Sequence, residues 1–343
     1  MERSRFTLLP PSFLVIGMAN FLIEPSQGGG LNLTDALGRR ILLCMKSEPS
    51  GKKADLVLRR PVDRAVASSP ITLAFALRLN DTVRILDRFV GIVNAQEAHL
   101  VLPDLVSRFR SGQIQNAESL QALRSMQYDV IFTFAYPHDN PSLAGALHHY
   151  NLPYVTIDAW YEPSLLDRIR WMEFIGCFFG VEDEARRTIS KIYEDVDRTA
   201  SEMRSEGRKV LWFTDFQGYQ FVTGGNSWVA HEISRLGSRV VTQDSGARGS
   251  VETSREWIGN KMGEADVIVF TMVRPSMQHI SSLYPEIVGS LAYRNNRVFG
   301  FGVGYWQEGA YAPERWFREL ATILQPSKGD LRDLRIFSQV AGQ

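Results

Sequence analysis

The sequence is poor in the residues that build metal and redox centres. Its 343 residues include two cysteines and six histidines. Two thiols, Cys44 and Cys177, cannot make a disulfide framework, and their spacing fits no multi-cysteine zinc or iron–sulfur site. Both read as small buried hydrophobes. There is no surplus of charge either, since 38 Lys and Arg balance 38 Asp and Glu. Nucleic-acid binding draws on basic residues facing phosphates, so a neutral chain is not expected to take nucleic acid as its partner. No stretch offers the roughly 18 uninterrupted apolar residues of a membrane-spanning helix. Enzyme signatures are missing as well. There is no Gly-x-x-x-x-Gly-Lys phosphate loop, no Gly-x-Ser-x-Gly elbow and no His-Glu-x-x-His. No catalytic residue, cofactor or resident metal is assigned.

What is present is an ordinary globular composition, 44% hydrophobic and 22% charged, in a chain long enough for two domains. Arg3 and Arg5 precede an apolar segment, Phe6–Ile23, in which Gly17 and Ala19 offer small residues at a cut site. That is the layout of a secretory signal peptide, and it predicts export. No small-residue tetrad ending in Cys accompanies it, so lipid anchoring is not expected. Pro25–Gly30 reads as a connector, and the folded part is expected to begin near Leu31.

Short apolar runs then alternate with helical stretches. Strands are predicted at Arg64–Ser68, Val83–Leu86, Asp129–Phe134, Tyr154–Ile157, Lys209–Thr214, Arg239–Thr242, Asp266–Thr271 and Arg297–Phe301. Runs such as Val130-Ile131-Phe132 and Val267-Ile268-Val269-Phe270 suit strands covered on both faces. The alternation predicts an α/β protein with mostly parallel sheets. The strands fall into two groups separated by a strand-free stretch, Leu165–Arg204. Within it Ile189, Ile192, Val196 and Met203 recur near helical spacing, and acidic residues lead basic ones. A long helix from Glu182 to Arg204 is therefore expected, setting two Rossmann-like lobes apart with a cleft between them.

Ligands of parallel α/β sheets sit at the carboxyl ends of strands. The loops that follow the predicted strands are rich in aromatic residues and arginine. They carry Tyr136 and His138; Trp160 and Tyr161; Phe216 and, shortly after, Trp228; Arg248; Arg274; and Tyr305 with Trp306. Convergence of these loops at one edge would make a single site for a large, flat, partly apolar ligand. Trp212 lies inside a strand, where it either belongs to the core or joins Trp160, Tyr305 and Trp306 as a contact for a corrinoid. An anionic ferric catecholate would lean on Arg248 and Arg274, and a corrinoid on the aromatic faces. Haem would want Tyr136, Tyr161 or His138 as an axial ligand.

Several stretches resemble the substrate-binding proteins of ABC importers for iron–siderophores, haem and cobalamin. Leu33-Thr34-Asp35-Ala36-Leu37-Gly38-Arg39 is similar to the family's opening hairpin, and Arg60-Pro61-Val62-Asp63-Arg64-Ala65-Val66 to its approach to the first strand. Asn116–Leu123 followed by Tyr128-Asp129-Val130-Ile131 resembles the lobe motif that Ser254-Arg255-Glu256-Trp257 and Ala265-Asp266-Val267-Ile268 repeat. Phe174–Gly180 precedes the long helix, and Ala321–Pro326 is similar to the family's C-terminal motif. The likeness spans about Leu33 to Pro326, with Leu43–Leu58 as an inserted surface loop.

The resemblance implies two α/β lobes joined by one helix. The expected division is residues 1–30, signal peptide and linker; 31–181, first lobe; 182–205, helix; 206–326, second lobe; and 327–343, tail. It also implies a solute-binding component rather than an enzyme. Such a protein would be monomeric and periplasmic or extracellular, and it would deliver a metal chelate to a permease dimer with its ATPase subunits. By motif position, Glu118 and Glu256 would dock on the permease. The competing expectation is a two-lobed glycosyltransferase binding a sugar nucleotide, for which Gly224-Gly225-Asn226 is the one candidate loop.

Overall fold

The computed structural model describes residues 20–26, 29–45, 54–79, 84–134, 143–203 and 206–340. A first, small sheet runs in the order β1-β2-β3-β4, formed by β1 (Leu22–Pro25), β2 (Leu31–Thr34), β3 (Arg40–Cys44) and β4 (Leu56–Arg59). The two ends of the expected Pro25–Gly30 connector instead flank antiparallel strands β1 and β2, with Ser26 N–H donating to the Gly30 carbonyl at 2.8 Å. Folded chain begins before Leu31. Phe21 is buried against Trp171 and Phe174, with ring centroids 4.7 and 5.3 Å away. Those partners lie some 150 residues downstream, out of reach of any local pattern. Asp35 stitches the hairpin to the next sheet, because its carboxylate accepts from Leu37, Arg39 and Thr156 amides.

The second sheet is all parallel, in the order β7-β6-β5-β8-β9. Its strands are β5 (Ala65–Ala67), β6 (Phe89–Val93), β7 (Gln115–Ala117), β8 (Val130–Phe134) and β9 (Tyr154–Ile157). The apolar runs are buried on both faces, as parallel strands require. The strand expected at Val83–Leu86 is displaced. Ile85–Arg88 form a 3-10 turn and the strand follows it. Gly91 interrupts the apolar pattern there, and a Cβ at that position would sit 2.7 Å from Met126 Sδ, so the methionine packs against the bare backbone.

The third sheet is mixed, in the order β13-β11-β10-β14-β15-β16. Its members are β10 (Lys209–Phe216), β11 (Tyr219–Thr223), β12 (Arg239–Val240), β13 (Ser250–Thr253), β14 (Val267–Val273), β15 (Val298–Phe301) and β16 (Phe337–Gln339). Strand β12 pairs with the start of β10. The β10–β11 hairpin turns on Gln217 and Gly218, both at positive φ (52° and 85°), the geometry that keeps a two-residue turn in step with strand twist. The expected C-terminal tail contributes a strand instead. Strand β16 closes the edge beside β15, and the buried Glu319 carboxylate accepts from the Arg335, Ile336 and Phe337 amides. Three residues carry too short a pattern to read as a strand without those partners.

The helix Glu182–Ser201 ends three residues before the expected Arg204. It follows Leu165–Phe179, which Gly180 caps at φ 75°. Ala185, Ile189, Ile192 and Val196 form its buried stripe, packed on Leu165–Phe179 and on Pro313–Leu324. Glu182 in its first turn meets Arg60 at 3.0 Å, and Asp197 near its end meets Arg235 at 3.1 Å.

Alternation along the strands sorts the core. Ala65, Ala67 and Phe132 join Val210, Trp212 and Phe299 in one hydrophobic cluster shared by the two large sheets. Val66 and Ile131 face a second cluster, and Leu211 and Phe213 a third. The sheets are also tied directly. Helix Pro70–Arg78 packs on Tyr305–Tyr311, and Arg78 pairs with Glu314 at 3.0 Å. Buried Gln307 accepts from Val101 N–H at 3.1 Å and donates to the His99 carbonyl. Fully buried Glu232 accepts from Leu165 N–H at 3.0 Å.

Candidate functional site

The carboxyl ends of β10, β14 and β15 and the loop after β9 enclose a cavity of about 390 Å³. Thr214 and Thr271, two residues before the ends of β10 and β14, and Phe301 at the end of β15 line it from the sheet, and the two threonine hydroxyls pair across neighbouring strands at 2.5 Å. Trp212, Trp228 and Tyr305 are buried in its base. Trp160, Tyr161 and Trp306 stand at the mouth with part of each ring open to solvent. Trp160 comes from the first lobe and Trp306 from the second, yet their rings lie only 5.4 Å apart. The site therefore joins the lobes.

The base is held by aromatic packing. Tyr305 stacks on Phe301 at 5° between planes, and Trp228 lies 4.6 Å from Trp316. Trp212 touches Phe301, Tyr305 and Phe337. The Arg168 guanidinium sits 4.6 Å over the Trp228 ring. Burial pushes the Tyr305 phenol well up, so it stays protonated and works as a neutral hydrogen-bonding group.

The mouth is held differently. Glu162, beside Tyr161, is buried; it accepts from Asn20 N–H at 2.9 Å and from Trp171 Nε1 at 2.7 Å, and its Oε2 has no hydrogen-bond partner among the described residues. Burial raises its carboxyl to about 7. Burial likewise raises Asp158, two residues before Trp160, to about 6. The loop that carries Trp160 and Tyr161 is thus flanked by two carboxylates taken out of water, of which Glu162 pins it to Asn20 and Trp171.

Five of the nine expected binding residues, Trp160, Tyr161, Trp228, Tyr305 and Trp306, line this one cavity. Trp212, for which core and ligand contact were both open, is buried and lines the cavity. Three residues depart from the expected single pocket. Phe216 is 63% exposed, because the hairpin carries β10 beyond the sheet and past the cavity. Arg274 lies in a separate recess with Gly302, Gly304 and Glu308, because β14 runs on to Val273 and Arg274 then turns in left-handed backbone, φ 46°. Arg248 lines an adjoining recess that shares only Tyr161 with the cavity. Tyr136 and His138 lie outside the described residues. The two threonines escaped the sequence reading, although each closes a predicted strand, Lys209–Thr214 or Asp266–Thr271, the position that marks a site in this architecture.

Gly224 and Gly225 have a structural reason that competes with phosphate binding. A Cβ on Gly224 would lie 2.4 Å from the Ala247 carbonyl oxygen, and one on Gly225 2.6 Å from Ser245 Cα. The pair lets two loops touch. Glu118 and Glu256 are both exposed. Each follows an edge strand, β7 or β13, at the start of a helix leading to a central strand. Glu118 immediately precedes the capping Ser119, whereas Glu256 comes two residues after the capping Ser254. Among the described residues there is no group of three His, Cys, Asp or Glu side chains placed to hold a metal ion, and no helix long and apolar enough to cross a membrane.

No family model matches the chain. An uncharacterized lipoprotein of Methanocaldococcus jannaschii is 24% identical over 308 residues, covering 85% of this chain and 74% of the relative. A second uncharacterized protein of that organism is 21% identical over 250 residues, 69% of this chain and 74% of its own. Among solved structures, a periplasmic binding protein of Veillonella parvula superposes over 90% of this chain and 99% of its own with a TM-score of 0.64 at 14% identity. The chain has the periplasmic binding-protein fold. A periplasmic heme binding protein of Pseudomonas aeruginosa shares that fold over 82% of this chain and 99% of its own, with TM-score 0.61 at 14% identity. So does a periplasmic vitamin B12 binding protein of Vibrio cholerae, over 79% and 99%, with TM-score 0.55 at 11% identity. At such identities the likeness is one of backbone architecture.

Proposed function

We propose that this protein is the solute-binding component of an ABC importer, working in the periplasm or outside the cell. It takes up a metal chelate with a flat apolar face, of the ferric siderophore, haem or corrinoid class, and does no chemistry on it. The observation that carries this reading is the aromatic cavity assembled from both lobes, with Trp160 facing Trp306 across its mouth. The names of the structural neighbours, which bind haem and vitamin B12, agree with it. The lipoprotein name of one relative agrees with a place at a membrane surface.

A helix between the lobes and the direct ties from Arg78 to Glu314, Gln307 to Val101 and Glu232 to Leu165 resist hinge motion. Loading would then involve little closure of the lobes. Glu118 and Glu256, exposed at corresponding helix starts, would meet basic patches on a permease dimer. Such charge pairs set orientation and association rate, and truncating a desolvated one costs about 2–5 kcal/mol.

The test has two stages. The absorbance spectrum of protein purified from its source identifies a coloured chelate, and quenching of tryptophan fluorescence by haemin, cyanocobalamin and ferric siderophores ranks them. No saturable quenching by any of the three classes would refute the reading. Uptake by cells carrying Glu118→Ala with Glu256→Ala then tests docking. Lost uptake with unchanged chelate affinity is expected, and normal uptake would remove both residues from the partner surface.

A further inference from the structure

The wall of the aromatic cavity does not stop at its mouth. Successive side chains of a strand alternate between its faces, so residues two apart share one face. On β10, Trp212 and Thr214 line the cavity, and Phe216 is the next residue on that face. On β11, Thr223 and Phe221 line it, and Tyr219 is the next. Phe216 and Tyr219 are direct partners across the hairpin. On β14, Val273 stands two residues beyond Thr271. Phe216, Tyr219 and Val273 are exposed by 63%, 60% and 47%. Val303, two residues past the end of β15, adds a further exposed apolar side chain. The result is an apolar apron in front of the cavity, made of residues that the core does not use.

Positive charge borders this apron. Arg274 follows Val273 directly, and it lines a recess of about 270 Å³ together with Arg335 and Val303. The end of β15 places both arginines. Arg274 N–H donates to the Phe301 carbonyl at 2.8 Å, and Gly302 N–H donates to the Ile336 carbonyl at 2.7 Å. A side chain on Gly302 would collide with the Arg335 carbonyl oxygen, so the two backbones touch there. Both arginine side chains are exposed, and neither makes a hydrogen bond or ion pair among the described residues. The nearby acids are mostly engaged. Asp215, next to Phe216, pairs with Arg255 at 3.0 Å, and Glu308 in the recess has Arg315 at 3.9 Å. Exposed Glu252 stands at the far edge of the apron, opposite Phe221. The uncompensated charge beside Val273 and Val303 is therefore positive.

We propose that the apron and the Arg274–Arg335 recess form a docking surface for a lipid bilayer that carries anionic phosphate headgroups. This goes beyond the chelate reading and does not depend on it. Phe216, Tyr219, Val273 and Val303 would enter the boundary between headgroups and acyl chains, where aromatic and aliphatic side chains are favoured. The two guanidinium groups would meet lipid phosphates at that depth. A protein partner fits less well. A specific protein interface buries about 800 Å² on each side, whereas the apron is a few side chains at a hairpin tip and two strand ends. Phe216 and Arg274, two of the expected site residues that miss the cavity, find their place here. Docking of this kind would turn the cavity mouth toward the membrane, because the apron continues the cavity wall.

Vesicle binding tests it. The full chain, without chelate, is sedimented with vesicles of phosphatidylcholine alone and of phosphatidylcholine mixed with phosphatidylglycerol. Stronger binding to the mixed vesicles is expected, and it should weaken as salt rises. Phe216→Ser with Tyr219→Ser should lower binding to both kinds by about tenfold or more. Arg274→Ala with Arg335→Ala should lower binding to the mixed vesicles by about fivefold per charge and leave the neutral ones unchanged. All of these side chains are exposed, so melting temperatures should not move. Equal binding by every variant would overturn the docking surface and place any affinity elsewhere, for instance in the apolar segment Phe6–Ile23. A local probe gives a second readout. A nitrobenzoxadiazole dye on Phe216→Cys, in a Cys44→Ser background, should brighten and shift to the blue when mixed vesicles are added. The same dye on Leu291→Cys, exposed in the short helix before β15, should not. No shift at position 216 would overturn the proposal. A shift that needs no vesicles and grows with protein concentration would assign the apron to a second copy of the chain. A shift seen only with membranes that contain a permease would assign it to that protein. Either result would overturn the lipid surface while the chelate cavity stands.

Discussion

The two sides of the cavity are built on different physics. The second lobe supplies a base of Trp212, Trp228 and Tyr305, each less than 6% exposed and packed ring against ring. The first lobe supplies a lip, Trp160 and Tyr161, on a loop whose neighbouring carboxylates, Asp158 and Glu162, are both raised by burial. The base is part of the hydrophobic core, so changing it costs stability. The lip is held by two hydrogen bonds to one carboxylate and can be altered at little cost to the core. An apolar base and a polar-pinned lip therefore separate stability from recognition, and mutation should divide along the same line.

The largest effect is expected at the base. Trp212→Ala should lower stability by about 3–5 kcal/mol, the usual range for emptying a buried tryptophan site. The urea midpoint reports it, and a loss below about 1 kcal/mol would mean that the base is not core. Next comes the pH response of the lip. Glu162 has its carboxyl raised from the ordinary 4.5 to about 7, so the folded state holds a proton that the unfolded state gives up. Stability should fall as pH rises from about 4.5 to about 7 and level off above that. The full cost is on the order of 3 kcal/mol, because each pH unit between the two values is worth about 1.4 kcal/mol. Glu162→Gln keeps the acceptor for Asn20 and Trp171, so it should flatten this slope and raise the melting temperature at pH 8 but not at pH 4.5. Parallel curves for the two proteins would mean that Glu162 ionises freely.

A smaller effect, confined to binding, is expected at the mouth. Trp160→Ala should weaken chelate binding by roughly 1–3 kcal/mol, as truncated interface anchors do, with little change in stability. A large drop in melting temperature would show that lip and base are not separable. Arg274 provides the contrast. It sits in a recess apart from the cavity, so Arg274→Ala should leave the same titration curve unchanged. A clear loss of affinity there would extend the site beyond the cavity.

The parallel strands, the amphipathic Glu182–Ser201 helix and the aromatic character of the strand-end loops are all written in local pattern along the chain. Val130–Phe134 and Val267–Phe270 are apolar at nearly every position because both faces of the strand are covered. Ala185, Ile189, Ile192 and Val196 mark one helix face by their spacing alone. What those loops meet is a matter of tertiary packing. Phe216 has the same aromatic chemistry as Trp160, yet it and Arg274 fall outside the cavity because β10 and β14 run two residues past their expected ends. Strands β1 and β16 exist only through the partners they pair with, β16 with a strand some 40 residues away. The pinning of the lip by Asn20, 142 residues from Glu162, likewise joins residues that no local window contains. Side-chain pattern reports burial and periodicity, which are local. Register, strand length and the pairing of buried charges depend on the whole fold.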